Sequence, residues 1–188
     1  MDGSSPGGLE QLDHCRMELD SHADTCAFGD CCKVLVDTGN VISVESFNKE
    51  MGSLPDVKIC TCAVAYDCPK TGETYLLLFH ESLYIPGLQT HLLNPAQLRM
   101  QGITVDDVPL TLLPEELRTQ EQHSILSWDP PLHITLELQG VMSGFTVREP
   151  TWEECNDLDQ ERVMFVHMTS SEPWDPHSET LYNLEGTL

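Results

Sequence analysis

The chain has 188 residues, with 9 Lys+Arg against 31 Asp+Glu and 8 Cys, for a formal net charge of −22 at pH 7 with His neutral. This charge repels phosphate, which excludes nucleic-acid binding through Lys/Arg neutralisation and docking on an anionic membrane surface. The length suits one domain with tails or at most two small domains, and a hydrophobic fraction of 40% is enough for one core.

No apolar run reaches the ~20 residues that span a bilayer. The N-terminus, Met1-Asp2-Gly3-Ser4-Ser5-Pro6-Gly7-Gly8, lacks the basic and apolar regions of a signal peptide. A cytoplasmic, reducing location is therefore expected, with the cysteines as buried thiols.

Beyond a Gly/Ser-rich tail, short apolar runs punctuated by turn residues indicate an all-β fold. Strands are predicted over 16–19, 32–37, 41–46, 57–66, 73–80 and 82–85, with later ones near 103–105, 133–138 and 144–147. Asp37-Thr38-Gly39-Asn40 places a glycine between two β-branched runs and predicts a hairpin. Asp67-Cys68-Pro69-Lys70-Thr71-Gly72 separates two further apolar runs and predicts a second, longer one. One helix carries explicit punctuation: Asn94 as N-cap, Pro95 at the first helical position and Gly102 as the stop. A weaker helix is predicted through 150–155. Trp152, Trp174 and the pair Glu153-Glu154 read as part of a solvated linker or partner-binding segment.

The segment Met17-Glu18-Leu19-Asp20-Ser21-His22-Ala23-Asp24-Thr25-Cys26 sets an ionisable Asp directly after an apolar strand. An Asp-Ser/Thr pair there is what an aspartic protease needs. Two such carboxylates, from two lobes or two subunits, share a proton; one activates water while the other protonates the substrate carbonyl. A strand followed by an Asx turn fits the same residues. Leu35-Val36-Asp37-Thr38-Gly39 copies the general aspartic-protease tripeptide more closely, but it follows too soon to belong to a second lobe, which needs roughly 100 residues. Asp37 is therefore read as a turn residue.

Further along stands Ser82-Leu83-Tyr84-Ile85-Pro86-Gly87-Leu88-Gln89-Thr90-His91-Leu92-Leu93-Asn94-Pro95-Ala96-Gln97-Leu98. With the Asp20 motif before it, the chain resembles the protease region of copia-type retrotransposon polyproteins, in which apolar-Asp-Ser-Gly-Ala precedes Leu-Tyr-x-Pro-x-Leu-x-x-x-Leu-Leu-Ser-x-x-Gln-Leu. Ala63-Val64-Ala65-Tyr66-Asp67 and Thr71-Gly72-Glu73-Thr74-Tyr75 fit a divergent branch of these elements, in which Asp-Ser-His-Ala-Asp replaces the glycine-containing motif. The resemblance covers residues 15–110.

It implies a retropepsin-like closed β-barrel domain over residues 15–112 with one short helix, a disordered tail over 1–14, and an acidic, partly disordered C-terminal extension over 113–188. It also implies an aspartic endopeptidase that processes Gag-Pol as a homodimer, with no cofactor and no metal. Asp20 of each subunit would form the dyad and Ser21 would brace the opposing loop. Ala23 would pack beneath the substrate and Asp24 would bind its backbone amides. The hairpin carrying Thr71 and Gly72 would be the flap, and Leu92-Leu93 the apolar pair on which the active-site loop rests. His22 stands where the family has a glycine, placing a ring where two backbones approach at the dimer axis. The alternative is a catalytically inactive remnant that serves as a non-enzymatic binding or dimerisation module.

The cysteines offer a rival chemistry in Cys26, Cys31 and Cys32 and in Cys60, Cys62 and Cys68, with His14, His22 and His80 near them in sequence. Neither group supplies the usual Cys-x2-4-Cys pair of a structural zinc site, so buried thiols are the expectation.

Overall fold

The computed structural model describes residues 14–46, 50, 52–119, 121–158, 161–179 and 181, so the tail expected over 1–14 lies outside them except for His14. In chain order its elements are β1 (His14–Leu19), β2 (Ala27–Phe28), β3 (Lys33–Glu45), β4 (Ser53–Asp67), β5 (Thr74–Tyr84), β6 (His91–Leu93), α1 (Pro95–Met100), β7 (Thr104–Asp106), β8 (Ser124–Trp128), β9 (Pro131–Thr135), β10 (Glu137–Gln139), β11 (Met142–Arg148), α2 (Trp152–Cys155) and β12 (Val163–His167). The fold is mostly β, as expected. Among the described residues no helix is long and apolar enough to cross a membrane.

Eight strands of the larger sheet run in the order β10-β11-β1-β6-β2-β5-β4-β3, with β12 alongside β5. β11 also touches β4, where Arg148 pairs with Ala65. A second sheet, β7-β8-β9, contributes Val105, Ile125, Leu132 and Ile134 to the same core that holds Met17, Phe28 and Phe79. β4 is buried without alternation from Cys60 to Tyr66 because both of its faces are covered. Cys60, Cys62, Val64 and Tyr66 enter the main core, while Ala63 packs with Leu76, Leu78, Cys155 and Val163 behind it.

The stretch 113–188, expected as an acidic extension with some strands, takes part in the larger sheet. It supplies β11, which pairs antiparallel with β1, and β12, which pairs parallel with β5. Strands of the first 112 residues are thus flanked by strands from beyond them. The stretch is acidic on average, but Val163, Phe165 and Val166 are apolar, and burial of Val163 and Val166 offsets the cost of ordering the segment. The Glu153-Glu154 pair is likewise ordered. Thr151 caps α2, its side chain accepting from the Glu154 amide while the Glu154 carboxylate accepts from the Thr151 amide.

The first predicted hairpin does not form. Lys33–Glu45 makes one long strand, β3, and Asp37-Thr38-Gly39-Asn40 is a bulge between the pairs Asp37–Cys60 and Val41–Lys58. Gly39 has φ 79°, the Asp37 carboxylate accepts from the Gly39 amide, and Lys58 Nζ donates to the same carboxylate at 2.7 Å. The 67–72 hairpin does form, with the Cys68 amide donating to the Glu73 carbonyl at 2.8 Å. The two predicted strands 73–80 and 82–85 merge into β5, which is kinked at Glu81 (φ 48°). Before the kink β5 pairs with β12; after it, with β2.

Candidate active site

β1 buries Met17 and Leu19 and alternates them with half-buried Arg16 and Glu18, so the strand delivers Asp20 at the edge of the core. There the chain turns. The Asp20 amide donates to the Leu93 carbonyl at 2.9 Å, and Asp20 Oδ1 accepts from the His22 amide at 2.9 Å, an Asx turn. The Asp20 side chain keeps 28% of its surface exposed, whereas the His22 side chain is 97% exposed with Nδ1 3.9 Å from Asp20 Oδ1. Within one chain the His22 ring therefore points into solvent and does not cover the carboxylate. Ser21 is exposed beside it, in a depression shared with Pro95, Asp107 and Val141.

The loop from Asp20 to Cys26 is held from beneath by the start of α1. Asn94 caps the helix by accepting from the Gln97 amide at 2.7 Å, and its Nδ2 donates to the Ala23 carbonyl. Gln97, 3% exposed, accepts from the Cys26 amide at 2.9 Å and donates to the Glu81 carbonyl at 3.1 Å. Leu93 is fully buried, and half-buried Leu92 pairs with both Glu18 and Ala27. The punctuation at Asn94 and Pro95 was readable in the sequence; the second use of Asn94, and the whole role of Gln97, are long-range contacts with no local signature.

Ala23 and Asp24 line a cleft of about 460 Å³. Ala27, Leu83, Ile85 and Leu92 make its apolar floor, and residues 42–45 of β3 form a wall. Thr71 and Gly72 are not there. Both are exposed in the β4–β5 turn, and Thr71 borders a different depression with Trp128 and Leu132. The expected grouping of Ala23, Asp24, Thr71 and Gly72 thus separates into two places, the first pair in the cleft and the second in the β4–β5 turn. The cleft also meets a segment that sequence reasoning left in the linker. Trp174 Nε1 donates to the Asp24 carbonyl at 2.9 Å, and His177 lines the cleft.

The thiols divide in a way the sequence groups did not anticipate. Cys15 and Cys31 form a disulfide, whereas Cys26, Cys32, Cys60, Cys62, Cys68 and Cys155 are free and buried. Burial pushes the Cys26 thiol up to about 12, which makes it inert, and contact with Cys32 together with burial raises Cys62 as well. Among the described residues the cysteines meet a histidine at His91, beside Cys15 and Cys31, and not at the sites grouped by sequence proximity. Comparison with known proteins found no matching family model, no similar curated protein and no similar solved structure.

Proposed function

We propose that the chain is one half of an aspartic endopeptidase of retropepsin type, acting as a homodimer on a retroelement Gag-Pol polyprotein. Each chain supplies one carboxylate, so the dyad requires two copies. The strand circuit β11–β1–β6–β2–β5–β4, returning to β11 through Arg148 and Ala65, is in this reading the closed barrel. The observation that carries the proposal is Asp20 itself. Its backbone is fixed to Leu93, its loop is braced by Asn94 and Gln97, and its carboxylate still reaches the surface, in a depression with Ser21 that shares His22 with the cleft lined by Ala23 and Asp24. A positioned, solvent-accessible carboxylate is what water activation across a two-fold axis needs. Ser21, Ala23 and Asp24 keep the roles the resemblance gives them; the place of the flap passes from the 67–72 turn to residues 42–45 of β3.

A second reading, a non-enzymatic binding module, draws on one contact. The Trp174 indole takes the Asp24 carbonyl, a group a bound peptide's backbone would use. Purified full chain incubated with a polyprotein fragment separates the two, with Asp20→Asn and Asp37→Asn as parallel samples. The proposal expects cleavage by the wild type and the Asp37 variant and a fall of about 100-fold or more for Asp20→Asn. Equal cleavage by Asp20→Asn and wild type overturns it, and no cleavage by any sample favours the binding module.

A further inference from the structure

The disulfide between Cys15 and Cys31 joins β1 to the loop after β2, and both residues are half-buried. His91, 1% exposed, sits against it with Nε2 3.3 Å from Cys15 Sγ and 3.2 Å from the Cys31 carbonyl. The other ring nitrogen, Nδ1, lies 3.1 Å from the Gly29 amide. A backbone N–H only donates, so Nδ1 accepts, and the proton of the neutral ring is on Nε2, where it is shared between the Cys31 carbonyl and the Cys15 sulfur. The Gly29 backbone packs directly on Leu88, since a Cβ built there would meet the Leu88 carbonyl oxygen at 1.8 Å. Burial keeps this imidazole below its ordinary value, which agrees with a neutral ring.

The same tautomer argues against a metal. A cation on Nε2 requires the ring proton on Nδ1, where it would face the Gly29 donor; without the imidazole only two thiolates remain, short of a tetrahedral set.

We propose that Cys15 and Cys31 form a reversible thiol–disulfide site open to dithiol reductants, in which His91 receives Cys15 as the leaving thiolate and so directs attack to Cys31. The reductant's thiolate attacks Cys31 Sγ, the Cys15–Cys31 bond breaks, and its electron pair goes to Cys15 Sγ against the Nε2–H. The reductant's second thiolate then attacks its own sulfur in the mixed disulfide and releases Cys31. The dithiol is oxidised to a disulfide, the protein gains two electrons, and two protons pass from the dithiol to the pair. The loop survives reduction because Asp30 still accepts from the Tyr84 hydroxyl at 3.2 Å and the Gly87 amide at 3.0 Å.

The test uses full chain purified without chelator and labelled natively with iodoacetamide, before and after treatment with dithiothreitol and its removal, with adducts mapped by peptide mass. The six free thiols are buried, so labelling reports on this pair. The expected result is no adduct before reduction and one on each of Cys15 and Cys31 after it, Cys15 reacting about fivefold or more faster near neutral pH because more of it is thiolate. His91→Asn keeps an acceptor for the Gly29 amide and removes the donor at sulfur, so it should bring the two rates together. The wild-type rate ratio carries the test if that variant fails to fold. Labelling of both cysteines without reductant, equal wild-type rates, or bound zinc that blocks labelling until chelated would each overturn the proposal.

Discussion

Gln97 shows how much of the candidate site rests on one uncharged side chain. Its carboxamide satisfies a buried amide, that of Cys26, and a carbonyl, that of Glu81, so it ties the Asp20 loop to the kink in β5. Replacing it with methionine keeps the volume and leaves both groups without a partner, which costs about 1–3 kcal/mol. Gln97→Met should lower the thermal midpoint by several degrees and speed amide exchange at Cys26 more than at β4; an unchanged midpoint would show that the loop holds itself. Asn94 was legible as a cap because capping is set by neighbours three residues apart. Gln97 stands in the sequence as one position of the copia-like motif, and its neighbours carry no sign of its contacts to Cys26 and Glu81. Asp20 lay between these cases: the apolar strand before it was readable, but the turn that sets its carboxylate depends on Leu93, which arrives from β6.

At the scale of elements, Arg148 joins what the sequence kept apart. Nearly buried at the end of β11, it donates to both oxygens of Asp67 on β4, at 2.7 and 3.0 Å, and to both oxygens of Glu154 on α2, at 2.9 and 2.7 Å. The Arg148 hydrogen bonds hold the Glu154 carboxyl below its ordinary value; burial pushes Asp67 up, and its bonds to Arg148 and Thr74 reverse that and leave it low. Carboxyls depressed in the folded state add stability that is complete above their unfolded value, about 4, and is lost as pH falls through the folded one. Arg148→Met should therefore destabilise by about 2–4 kcal/mol at neutral pH, a range reduced for the half-exposed Asp67, and should flatten the loss of stability below about pH 4. Urea unfolding at several pH values measures both; parallel acid limbs in variant and wild type would dismiss the cluster as the cause. β12 was missed because an acidic segment average hid the run Val163-Met164-Phe165-Val166. In sequence the bulge at Gly39 reads as a turn because both use positive φ at glycine, and only the continuous partner strand β4 tells them apart.

For the whole molecule the charge of −22 sets the terms of association. Five cations, Arg16, Lys33, Lys58, Arg99 and Arg148, are already engaged with carboxylates within their own chain, which leaves little positive surface to offer a partner. Two such chains meeting at Asp20 bring like charges together, and the repulsion is long-ranged only while the Debye length is long, about 30 Å at 0.01 M salt against about 8 Å at 0.15 M. The homodimer of the proposed function should therefore tighten by about tenfold over that range, in contrast to an assembly held by opposite charges, which salt weakens. Mild acid acts in the same direction, since a proton shared between the two Asp20 carboxyls removes the closest repulsion. Sedimentation equilibrium of wild type and Asp20→Asn across salt and pH decides the matter. Salt should tighten both, and acid should tighten the wild type more, because the amide has no proton to share. A dimer that weakens with salt, or an Asp20→Asn dimer as acid-sensitive as the wild type, places the contact surface away from Asp20.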